Sequence, residues 1–140
     1  MTSHVDHPDL GPLTWNADAG WWEAERPGPD GPLFIHVSQP GASAAALLGL
    51  LRLEAGLREE IARRALAQAD GWTLEAGEEG RPPAPPTPAA LASRLRLNEL
   101  GLDSGGGLFA VYDHQDPFAE HTILVGFGPD LSLREVEVAG

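Results

Sequence analysis

A single stretch of helical periodicity, Ser43 to Ala69, stands between two groups of short alternating segments. This order limits the folds open to the chain more than any other feature. Ahead of the helix, Leu13-Thr14-Trp15, Trp21 to Glu25 and Leu33 to Val37 read as strands. The turn Asn16–Gly20 and the PGPDG run at 27–31 separate them, because Asn, Asp, Gly and Pro supply turn backbone angles. Beyond it, Leu97 to Leu102, Leu108 to Asp113, His121 to Phe127 and Leu131 to Val138 read as strands joined by DSGGG and GPD. Strands clustered on both sides of a helix, without βαβ alternation, predict an α+β fold and argue against a Rossmann-type sheet. The expected architecture is a mostly antiparallel sheet of about six to seven strands, with one long and one short helix packed on one face.

The helical stretch explains itself locally. Ser43 is a good N-cap, and Leu47, Leu50, Leu51, Leu57, Ile61 and Ala65 form one apolar stripe, interrupted at Glu54. Glu59–Arg63 and Glu60–Arg64 are i,i+4 pairs in the favourable orientation on the other face. Gly56 is where the helix bends or splits, and Asp70-Gly71 is the expected end. Residues 72–87, containing GEEGRPPAPP, read as a proline-rich internal loop. Thr87-Pro88, N-cap followed by proline, starts a short helix ending near Leu95. Met1 to Pro12 reads as a loose arm, leaving 13–140 as a single domain.

Charge and composition narrow the function. The net charge is −12, and all nine basic residues are arginine, a pattern of codon usage in a GC-rich bacterial genome. Such a chain repels phosphate backbones and anionic membranes, so neither nucleic acid nor membrane is an expected partner; a basic protein is. The chain has no cysteine, which excludes disulfides, thiolate metal sites and cysteine nucleophiles and fits a reducing cytoplasm. No charged leader precedes an apolar run, which again points to the cytoplasm.

Asp113, His114, Asp116, Glu120 and His121 crowd nine positions and carry the imidazole and carboxylate ligands that a divalent metal takes. Their spacing matches no metal motif of known geometry, so the competing reading is a solvated turn in which His121 pins Phe118. No cofactor is expected, with a divalent metal as the alternative. Trp21 and Trp22 are consecutive on a strand and must point to opposite faces, one under the helix and the other either packed beneath the N-terminal arm or the proline-rich loop, the favoured reading, or lining a groove or interface. His36 reads as a core-edge or surface histidine, and His4 and His7 as residues of the arm. Glu23, Glu25, Glu135 and Glu137 alternate along strands, the sign of a wet sheet face. SGGG at 104–107 lacks the lysine and helix of a phosphate loop, and no spacing suggests a catalytic triad.

Leu13, Trp15, Gly20, Trp21, Trp22 and Glu23, followed by Phe118, His121, Ile123, Val125, Ala139 and Gly140, resemble a family of uncharacterised bacterial domains of unknown function. That family opens with a G-W-W-E hairpin and closes with F-x-x-H-x-I-x-V and a terminal A-G. Ala24, where the family often has glycine, and the proline-rich loop depart from it. The resemblance implies an α+β domain and no activity, since fold does not carry function. Small domains of this general kind include candidate immunity proteins of toxin systems. The expected function is a non-catalytic interaction module, immunity- or inhibitor-like, for a basic partner. The alternatives are a small-ligand binder built on the Trp21/Trp22 hairpin with Phe118 and His121, or a metal-binding domain or hydrolase using Asp113, His114, Asp116 and His121.

Overall fold

A computed structural model describes residues 4–41, 43–68, 87–103, 107–113 and 122–139. Eight strands form one sheet in sequence order: β1 His4–His7, β2 Gly11–Asn16, β3 Trp21–Gly28, β4 Gly31–Val37, β5 Arg96–Leu102, β6 Leu108–Asp113, β7 Thr122–Phe127 and β8 Leu133–Ala139. Every neighbouring pair is antiparallel except β4 and β5, which run parallel. A parallel pair needs a long crossover, and the helices α1 Ala45–Leu53, α2 Arg58–Ala67 and α3 Pro88–Ala92 lie in it. The α+β class and the mostly antiparallel sheet are as the sequence predicts.

The strand count is eight, not six to seven. The addition is β1, from the segment expected as an arm. His7 explains how a His- and Pro-rich stretch pairs. Its Nδ1 accepts the backbone N–H groups of Asp9 at 3.1 Å and Leu10 at 3.3 Å, closing the turn into β2. Gly11 leaves that turn at φ +78°, an angle glycine adopts without steric cost.

One sheet face is apolar from end to end. Ala24, Ile35, Leu100, Ala110, Val125 and Val136 are successive cross-strand partners, and all are buried. Leu47, Leu50, Ile61 and Ala65 of the helices pack in the same core. The helix is split: a 3-10 turn, Glu54–Leu57, holds Gly56 between α1 and α2. Ser43 accepts the N–H of Ala45 one position outside the cap residue, Ala44. Thr87 caps α3 as expected, accepting from the N–H of Ala90, and the helix closes at Ala92 instead of near Leu95.

Glu54, which interrupts the helical stripe, is buried and paired. Arg58 reaches its carboxylate at 2.5 and 2.8 Å and also reaches Asp30 at 2.7 Å, while Tyr112 donates its hydroxyl to Glu54. Arg58 further donates to the carbonyl of Leu95, and Asp30 accepts the N–H of Leu97. Buried charge is tolerated when each member is hydrogen-bonded in this way, and the network ties the helix to β6 and to the β3–β4 turn. At the far edge, Gln68 places its amide against β8, donating to the carbonyl of Val136 and accepting the N–H of Val138. The side chain takes the place of a ninth strand at that point.

Candidate functional site

Strand alternation puts a second surface on the sheet, opposite the helices. Two rows of cross-strand partners make it. The first runs Glu25, Phe34, Glu99, Val111, Leu124, Glu137, and the second runs Glu23, His36, Gly101, Phe109, Gly126, Glu135. The first row begins and ends on a glutamate, the second continues past Glu23 to Thr14 and His4 and ends on Glu135, and both are largely apolar or aromatic between. Phe34 and Leu124 are 38% and 37% exposed, so this face is open to solvent and carries large apolar groups into it. Near one end stands a single arginine, Arg96, opposite Asp113.

His36 is the centre of the second row. It is only 5% exposed, although the described helices pack on the other face. Its cover comes from Trp21, whose ring lies 4.3 Å from the imidazole, and Phe109 extends the stack at 6.3 Å from Trp21. Phe109 reaches this position because its cross-strand partner is glycine: a Cβ on Gly101 would fall 1.9 Å from the Phe109 ring. Gly126 likewise leaves room for the stem of Glu135, which would meet a Cβ at 2.9 Å.

Carboxylates flank the imidazole. Nδ1 lies 3.6 Å from Glu23 and Nε2 lies 3.4 Å from Glu99, yet neither buried nitrogen has a hydrogen-bond partner among the described residues. Glu23 is held by the Asn16 amide at 2.8 Å and the Trp21 indole N–H at 3.0 Å. The Asn16 hydrogen bond, the indole N–H and the nearby His36 keep its carboxyl below the usual range, against partial burial. Glu99 accepts no hydrogen bond among the described residues, and beyond its contact with His36 the side chain is 32% exposed. Beside it a groove of about 430 Å³ runs along Trp21, Glu99, Phe109, Val111 and Leu124 to Glu135 and Glu137. An apolar floor with a carboxylate rim receives a long side chain with a cationic head, since its stem rests on the floor while its charge meets the rim.

The expected split of Trp21 and Trp22 is present. Trp21 lines the groove, and Trp22 lies on the helix side, packed against the core and 5.4 Å from Trp15. Asp113 is exposed at the end of β6. His114, Asp116, Phe118, Glu120 and His121 lie outside the described residues, and no group of three or more metal-ligating side chains is present among the described ones. His36 is buried, but beneath Trp21 on the open face and away from the core. Glu99, Phe109, Val111 and Leu124 were not singled out from the sequence. For Phe109, Val111 and Leu124 the signal was the near-continuous apolar run of β6 and β7, which marks strands apolar on both faces; Glu99, on β5, had none.

No helix among the described residues is long and apolar enough to cross a membrane. Comparison with protein-family models, with curated proteins and with solved structures found no match. The family resemblance therefore rests on the motif residues alone.

Proposed function

We propose that the chain is a non-catalytic interaction module, immunity- or inhibitor-like, that seats a basic protein partner on the open face of its sheet. The observation that carries this reading is the set of glutamates, Glu23, Glu25, Glu99, Glu135 and Glu137, on the same sheet face as an exposed apolar strip. Charge of one sign around an apolar centre is the composition of a surface that steers an oppositely charged partner and then desolvates against it. The groove beside Trp21 favours a second reading, a small-ligand site on the same face.

The test is capture of partners from a lysate of the source organism, by wild-type protein and by a Glu99→Gln/Glu135→Gln/Glu137→Gln variant. A stoichiometric basic partner that is released at high salt and lost in the variant supports the module. A partner retained equally by the variant moves the interface off this face. An empty bait at low salt removes the tight-partner reading and leaves the small-ligand one.

A further inference from the structure

The open face carries two features that a general acidic surface does not need. One is the aromatic cluster of Phe109, Trp21 and His36, with Trp21 tilted 31° to the imidazole and 29° to Phe109. The other is a buried imidazole whose two nitrogens, without a hydrogen-bond partner among the described residues, lie 3.4 and 3.6 Å from carboxylates. Building on the proposed acidic interface, we infer that Trp21 and Glu99 form a subsite for a guanidinium group, an arginine side chain presented by the partner.

Geometry distinguishes guanidinium from ammonium here. A guanidinium is planar and weakly hydrated, so it stacks on an aromatic face and presents a fork of N–H groups to one carboxylate. Trp21 supplies the face, and its position is fixed because its indole N–H is bound to Glu23 and its ring rests on His36. Glu99 supplies the carboxylate; both residues line the groove, and Glu99 is 32% exposed, with one oxygen 3.4 Å from His36 Nε2. Phe109 and Val111 continue the floor under the aliphatic stem. A lysine ammonium meets the same charge but gains little from the stack and no bidentate contact.

The probes are an arginine-glycine pentapeptide blocked at both ends and its lysine counterpart, titrated into the full chain by calorimetry and followed through the indole N–H resonances. The arginine peptide is expected to bind at least about tenfold more tightly than the lysine peptide. It should move the Trp21 indole resonance and leave that of Trp22, on the other face, in place. Glu99→Gln should abolish the preference, while Glu59→Gln on the helix surface leaves it intact. Equal binding of the two peptides overturns the guanidinium subsite but leaves the acidic interface standing. Perturbation of Trp22 in place of Trp21 overturns the location. Binding of neither peptide removes the subsite, and the partner-capture experiment then decides the interface separately.

Discussion

The hydroxyl of Tyr112 donates to Oε2 of Glu54 at 3.1 Å, and both side chains are buried where the helix crosses the sheet. Arg58 completes this contact from the next helical turn and lies over the tyrosine ring, 5.6 Å from its centroid. The pair joins the irregular centre of the helix to the centre of the sheet, so its loss is felt by both layers. Tyr112→Phe leaves Glu54 still paired with Arg58 and should cost about 1–2 kcal/mol. Glu54→Ala leaves the Tyr112 hydroxyl unbonded and Arg58 half-paired, and should cost about 3–5 kcal/mol. Urea unfolding of the two variants gives the ranking, and equal costs would contradict it.

Tyr112 is the single tyrosine, which makes its titration directly visible. Burial, followed by the adjacent Glu54 charge and hydrogen bond, pushes the phenol far above its ordinary value of 10.0. The folded state therefore favours the protonated form. The stability this contributes is complete below the ordinary value and declines as pH rises past it, because only the unfolded chain ionises there. Phenolate absorbance should appear with alkaline unfolding and not before. A separate phenolate transition in the folded protein would show that the hydroxyl is accessible.

The acid limb has the opposite sign. Burial opposes ionisation of Asp30, but hydrogen bonds from Arg58 and the Leu97 N–H, with the Arg58 charge, hold its carboxyl below its ordinary 3.8. Its stabilisation is complete above that value and is lost as pH falls through the lower folded one. Asp30→Asn should lower stability at neutral pH and flatten the loss of stability below about pH 4. Thermal melts across acidic pH check both effects.

Gly101→Ala tests the aromatic stack without touching a charged group. The added methyl occupies the space of the Phe109 ring, so that ring must leave its position beside Trp21. The expected cost is about 1–3 kcal/mol, as for other overpacked sites, with a changed near-ultraviolet circular dichroism signal. Loss of arginine-peptide binding should accompany it. An unchanged aromatic signal would mean that Phe109 does not lie over Gly101 in solution.

Local chemistry made much of the fold readable. Turn residues and alternation located seven of the strands, and Thr87-Pro88 located α3, because those signals act within a few residues. β1 was hidden because its turn is closed by a histidine side chain, a bond no composition rule anticipates. Glu54 registered only as an interruption in a stripe, since its partner Tyr112 lies 58 positions away in the chain and Asp30, which shares Arg58 with it, lies 24 away. The open face depends on register in the same way. Glu99 stands beside Phe34 and Val111 only once β4 and β5 pair in parallel, and His36 becomes buried only when Trp21 folds across it.

Gln68 gives the sheet a direction of growth. With its amide occupying the backbone groups of Val136 and Val138, β8 offers an incoming chain a blocked template, while β1 has no strand on its outer side among the described residues. Two copies meeting edge to edge can pair β1 with β1 and then stop, because each pair exposes only capped edges. Head-to-tail stacking into a fibril requires β8 as the second surface. Gln68→Ala is expected to free the Val136 carbonyl and the Val138 N–H for pairing with another chain, and light scattering on mild heating should separate it from wild type.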